Sequence, residues 1–183
     1  MLSRDQFAAF AQPYITPQIE RIHSHGLPAL LHICGKTHRL WEAMADTGAD
    51  ILSLDLVDLE EAKQRVGDRV TVMGNVSPSQ TLLEGSPEQI EAEVVTCLRK
   101  AGDSPRGFIL ATGCEVPQHT PAANLEATVE RYLTEVNPPG GATNQQKVTG
   151  NGEEHALFAC QLYFLISRFQ QQQQLMVRDL FAT

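Results

Sequence analysis

The feature that most constrains this chain is an alternation between two hydrophobic periods. Four short runs, at 27–34, 49–55, 69–75 and 107–114, are apolar almost without interruption. Between and after them, apolar residues recur every three or four positions. A near-continuous apolar run bounded by glycine marks a strand covered on both faces, the habit of a parallel sheet flanked by helices. The alternating segments carry helix signals. Thr37 stands where it caps a helix holding Leu40, Trp41, Met44 and Ala45, which Gly48 stops. A short helix over 58–66 ends at Gly67. Ser86-Pro87-Glu88 sets proline at the first helical position and an acid in the first turn, ahead of Ile90, Val94, Cys97 and Leu98. Thr120-Pro121 opens a last helix with Leu125, Val129 and Leu133. Before the first strand, Ser3-x-x-Gln6 reads as a capping box. Phe7, Phe10, Ile15, Ile19 and Ile22 predict a helix over 3–25, divided by Pro13 and Pro17.

The order predicts an α/β fold with four parallel strands. A doubly wound sheet and a (β/α)8 barrel both satisfy it. A full barrel takes about 250 residues and eight strands, and this chain of 183 residues shows only four runs. After residue 136 the pattern stops. Asn137-Pro138-Pro139-Gly140-Gly141 is a linker signal, so 137–152 reads as a flexible linker. Residues 153–183 read as a helical tail of unknown role that contains glutamines at 170–174.

Charge narrows the function. The formal net charge is −8, all of it arising before residue 137, and no basic run occurs. That argues against a phosphate-binding, nucleic-acid surface. The longest strongly apolar stretch, 156–166, is well short of the roughly 20 residues a membrane helix needs. The N-terminus is polar and lacks a secretory apolar core, which predicts a cytoplasmic protein. In that compartment cysteines stay reduced, so the four present favour metal or catalytic roles over disulfides.

His32 and Cys34 lie two apart at the carboxyl end of a predicted strand, and residues i and i+2 share a face. Cys114 also closes a predicted strand. Sites in barrels and open parallel sheets gather at those ends. One imidazole and two thiolates suit zinc, with a fourth position left for an incoming ligand. The plain alternative is that strand-end cysteines are small buried hydrophobes. Cys97, at an apolar position of a helix, reads as core, and Cys160 as inert. His23, His25, His38, His119 and His155 share no ligand spacing.

Four motifs occur together in order: His32-Ile33-Cys34-Gly35, Asp46-Thr47-Gly48-Ala49-Asp50, Gly74-Asn75-Val76-Ser77-Pro78 and Gly113-Cys114-Glu115-Val116-Pro117. Over residues 3–136 the chain thereby resembles the uroporphyrinogen decarboxylase superfamily, and within it the corrinoid-dependent zinc methyltransferases of the methylcobamide:coenzyme M type. The resemblance implies the C-terminal half of a (β/α)8 TIM barrel over 1–136. It implies that His32, Cys34 and Cys114 are zinc ligands, with no catalytic residue beyond them, and that Asp55 and Asn75 line the same mouth as substrate-binding residues. It further implies a methyltransferase that moves a methyl group from a methyl-corrinoid, presented by a partner corrinoid protein, to a small thiol acceptor. The alternatives are a non-catalytic zinc-binding or interaction module, and a decarboxylase-like enzyme acting on a tetrapyrrole. A half-barrel exposes two sheet edges and an apolar lining, so the chain is expected to be a fragment of the active enzyme, or to be completed by a homodimer or by the missing N-terminal half that a partner supplies.

Overall fold

The computed structural model describes residues 2–136. The sequence-predicted linker 137–152 and tail 153–183 lie outside the described residues. The first helical region is two helices, α1 (Arg4–Phe10) and α2 (Gln12–His23). The capping box forms: Gln6 N donates to Ser3 Oγ (3.2 Å) and Ser3 N to Gln6 Oε1 (2.9 Å). The break falls at Ala11 and not at the two prolines. Pro13 sits in the first turn of α2, where no intrahelical N–H bond is lost, and Pro17 is accommodated inside the helix.

Four strands follow: β1 (Leu30–Ile33), β2 (Ile51–Leu54), β3 (Thr71–Val76) and β4 (Phe108–Thr112). Strand β1 begins three residues later than the apolar run suggests. Pro28 has no N–H to offer a ladder, and Ala29 N is already taken by the Asp50 carboxylate at 2.7 Å. Between the strands lie α3 (Trp41–Ala45), α4 (Leu59–Val66) and α5 (Pro87–Ala101), and α6 (Ala122–Val136) follows β4. Two expected caps differ. Thr37 does not cap α3; its buried hydroxyl accepts the indole N–H of Trp41 at 3.1 Å. Thr120 lies two residues ahead of α6, and its buried hydroxyl has no hydrogen-bond partner among the described residues. Asp58 caps α4, accepting from Glu60 N (2.8 Å) and Glu61 N (3.2 Å). A π-helical segment, Pro78–Leu83, was not foreseen. It buries only Pro78 and Leu82, too few residues to set up a readable period.

All neighbouring strands are parallel, in the order β1-β2-β3-β4. A doubly wound sheet reverses its order at a switch point. This one never does, so the topology is that of a barrel segment, each strand leading through a helix to the next. The helices cover one face. Trp41, Met44, Leu59, Ala62, Val66, Ile90, Val94 and Ala101 pack there with Leu52, Leu54, Val72, Val76 and Leu110, all of them buried. Register and alternation place Leu30, His32, Ile51, Ser53, Met73, Ile109 and Ala111 on the other face. Leu30 is half exposed, and Ile51, Met73, Ile109 and Ala111 are partly so. Among the described residues β1 and β4 each pair on one side only.

Gly74 fixes how closely β3 and β2 approach. Its φ is +144°, and a β-carbon there would lie 2.7 Å from the Leu54 carbonyl oxygen. Only glycine meets both conditions.

Candidate metal centre

The open face carries the chemistry. Pairing of β1 with β2 sets His32 opposite Ser53. His32 Nδ1 lies 3.0 Å from the Ser53 carbonyl oxygen and 3.1 Å from its hydroxyl. A carbonyl only accepts, so Nδ1 carries the proton and Nε2 presents its lone pair. That nitrogen is 3.2 Å from Cys34 Sγ and 3.8 Å from Cys114 Sγ, and the two sulfurs are 3.4 Å apart. The three expected ligands therefore converge, although 80 residues separate the cysteines. Among the described residues no other set of three histidine, cysteine or acidic side chains comes together in this way.

The triangle can be tested against an ion. Tetrahedral bonds of about 2.3 Å to sulfur and about 2.05 Å to nitrogen put the donors about 3.5–3.8 Å apart. The observed separations match that size to within a few tenths of an ångström. His32 and Cys34 are exposed and Cys114 is half-buried, so the triangle faces solvent. The hydrogen bond with Cys114, foremost, pushes the Cys34 thiol up, with desolvation and the charges of Cys114 and Asp55 adding to it.

Loop contacts explain the convergence. Gly35 N donates to Asp55 Oδ2 at 2.6 Å, and Leu56 N to Asp55 Oδ1 at 2.8 Å. On the other side Gly113 presses on the same carboxylate; a β-carbon there would stand 3.3 Å from Asp55 Oδ1. Asp55 thus lies between the turn that carries Cys34 and the turn that carries Cys114. Gly113 N donates to Val76 O (2.9 Å) and Thr112 Oγ1 to Cys114 O (2.7 Å), which fixes the second turn. Asn75 is buried, and its amide donates to Asp55 O (2.8 Å) and Val57 O (2.7 Å), holding the loop after β2. Its carbonyl oxygen faces Cys97 Sγ at 3.8 Å. Cys97 is core, and burial pushes its thiol up to about 11. His23 is engaged away from the triangle, 2.8 Å from the Asp50 carboxylate.

Sequence reasoning missed Ser53, which orients the imidazole. The available signal was a hydroxyl inside an otherwise apolar run, and only the strand register gives it a partner. Thr112 and Gly113 were likewise invisible as supports.

Comparison with known proteins places the chain. The family profile described as uroporphyrinogen decarboxylase (URO-D) matches residues 1–133. The uroporphyrinogen decarboxylase of Trichodesmium erythraeum is 39% identical over 129 residues, covering 68% of this chain and 35% of the relative. The methylcobamide:CoM methyltransferase MtaA of Methanosarcina barkeri is 34% identical over 131 residues, covering 70% and 36%. Among solved structures, a methyltransferase from Methanosarcina mazei superposes with a TM-score of 0.62 at 30% identity, covering 72% of this chain and 37% of that one. The chain spans about a third of the length of the curated relatives it matches.

Proposed function

This chain belongs to the uroporphyrinogen decarboxylase family, and from that membership we propose that it carries the thiol-activating part of a zinc-dependent methyltransferase. The reaction moves a methyl group from a methyl-corrinoid, presented by a partner protein, to a small thiol. One observation carries this reading: His32 Nε2, Cys34 Sγ and Cys114 Sγ stand within 3.8 Å of one another on an exposed rim. Methyltransferase relatives on both the sequence and the structural side support it.

His32, Cys34 and Cys114 would hold the ion. When bound, zinc favours the thiolate form of an incoming thiol, which is the nucleophilic form. The chain's own residues supply the rest. Ser53 keeps the imidazole in the tautomer that offers Nε2. Asp55 fixes the spacing of the two cysteine turns and adds negative charge beside Cys34. Asn75 holds the Asp55 loop in place. In this reading Asp55 and Asn75 position the substrate mouth.

Residues 1–136 form the C-terminal half of the barrel in this proposal, and a four-strand complement closes it. The helix layer runs α1, α3, α4, α5, α6 through successive contacts, so it overhangs both sheet edges. A barrel seam takes one helix. Two copies of this chain would bring two helices to each seam, which favours the family's N-terminal half over a second copy of this chain as the complement.

The decarboxylase relatives, 39% identical in the first instance, motivate a second reading: an enzyme acting on a tetrapyrrole. Metal analysis of the purified chain separates the two, together with an assay of methyl transfer from methylcobalamin to coenzyme M or homocysteine. About one zinc per chain, lost in His32→Ala, is the expected result. A zinc-free chain with an intact fold overturns the proposal.

A further inference from the structure

The spacing that suits an ion also suits a second chemistry of the same two sulfurs. Cys34 Sγ and Cys114 Sγ stand 3.4 Å apart. A disulfide bond is about 2.05 Å long, so an approach of about 1.4 Å separates the pair from bonding. Neither cysteine lies in a strand, since β1 ends at Ile33 and β4 at Thr112. The approach therefore asks for side-chain rotation and a small shift of two turns, and it leaves the sheet register alone. The pairing is a product of the fold. The two cysteines are 80 residues apart in sequence, and folding has already met the loop-closure cost of bringing them together. Access differs along the chain. Cys34 is exposed and Cys114 half-buried, whereas Cys97 is buried with its sulfur facing Asn75 Oδ1 at 3.8 Å.

We propose that Cys34 and Cys114 form a reversible disulfide by exchange with a small disulfide such as glutathione disulfide, and that this bond and a bound metal ion exclude each other. The exclusion rests on the zinc reading above; the sulfur pairing does not. In the first step the exposed Cys34 sulfur attacks one sulfur of the small disulfide, whose S–S bond breaks and releases one small thiol. In the second the Cys114 sulfur attacks the Cys34 sulfur of the mixed disulfide and releases the other small thiol. The two cysteines give up two electrons, the small disulfide takes them, and both cysteine protons leave on the released thiols. Oxidation withdraws two of the three donors and leaves His32 alone, which cannot hold the ion. By the same linkage, an ion that binds only the dithiol form opposes oxidation. Exposed disulfides are the readily reduced, regulatory kind. A small thiol, the class of acceptor proposed for the reaction, would therefore reopen the site.

The test equilibrates the full chain, stripped of metal by a chelator, with mixtures of oxidised and reduced glutathione. Free thiols are then trapped by alkylation and the peptides mapped by mass spectrometry. A peptide linking Cys34 to Cys114 is expected, reversed by excess reduced glutathione, with Cys97 alkylated only after denaturation. The same exchange in urea should give chiefly glutathione adducts, because the pairing depends on the fold. With enough zinc to fill the site, the ratio of oxidised to reduced glutathione needed for half conversion should rise about tenfold or more. A metal-free chain that carries only free thiols or glutathione adducts overturns the proposal, as does a link equally abundant in urea. Undiminished oxidation of a chain that holds zinc overturns the exclusion. A chain that takes up no zinc yet links Cys34 to Cys114 supports the sulfur pairing and removes the metal reading, so the two failures are told apart. Cys160→Ser should leave the yield of the link unchanged, and its loss in that variant overturns the assignment to Cys34 and Cys114.

Discussion

The two faces of the sheet differ in kind. On the helix side, Leu52, Leu54, Val72 and Leu110 are 1% exposed or less and lie under Trp41, Met44 and Ile90. On the other side the equivalent positions alternate between half-open apolar residues and the polar pair His32–Ser53. Close packing is what stabilises a fold, so one face carries stability. The other carries donor groups on a rim that the first face holds still. If that division is right, changes to the open face should empty the metal site without unfolding the chain, and changes to the covered face should do the reverse.

The largest effect is expected at the triangle. Cys34→Ser removes one of three donors, and zinc content should fall from about one per chain to below about 0.1. The fold, followed by far-ultraviolet circular dichroism, should persist. Binding in the unmodified chain should strengthen as pH rises, because the ion must displace protons from thiols and the Cys34 thiol is held above its ordinary value by Cys114. Loss of secondary structure in the serine variant would break the comparison, since it would make the open rim a folding element.

The covered face provides the converse. Trp41 is fully buried, its ring capped by the Arg65 guanidinium at 4.8 Å and its N–H bonded to Thr37. Trp41→Ala should cost about 3–5 kcal/mol in urea unfolding. Any molecule still folded should keep its zinc stoichiometry. A variant that stays folded but is metal-free would link the two faces more tightly than the packing does.

Much of the fold was legible because parallel strands and amphipathic helices leave different periods. The four strand–helix units and the helix starts at Ser3 and Ser86 follow from residue types at short range, whereas the choice of a barrel over a doubly wound sheet rested on the family resemblance and on the strand order. Thr37 misled because a threonine before an apolar periodic segment looks the same whether it caps a helix or accepts a tryptophan N–H. The π-helical segment Pro78–Leu83 has no period of its own to read. His32 and Cys34 were legible as a pair from strand parity. That Cys114 meets them depended on sheet order, and Ser53 depended on register, neither of which a single sequence encodes locally.

Ser53 gives a smaller and more pointed test. Its carbonyl orients His32, and its hydroxyl lies 3.1 Å from the same nitrogen. Ser53→Ala keeps the carbonyl and removes the hydroxyl. Zinc affinity, measured by competition with a chelator, should fall by about tenfold, the lower end of what loss of a supporting hydrogen bond costs a metal site. Thermal stability of the metal-free chain should change little. No change in affinity would assign the whole orientation of the ring to the main chain.

The smallest effect belongs to the charged outer edge of the covered face. Arg65 donates to Glu42 through Nε at 2.8 Å and Nη2 at 2.9 Å. That hydrogen bonding, before any other cause, holds the Glu42 carboxyl below its ordinary value of 4.5. A carboxyl with a lowered pKa in the folded state adds stability above its unfolded pKa and loses it as pH falls through the folded value. The stability difference between the unmodified chain and Glu42→Gln should therefore be full near pH 7 and close as pH drops below 4.5. Both side chains are about a third exposed, so solvent screening limits the difference to about 1 kcal/mol or less. Urea midpoints at neutral and acid pH measure it. A difference that stays constant with pH would trace the effect to altered packing of Arg65 on Trp41, returning the contribution of this edge to the apolar side of the comparison.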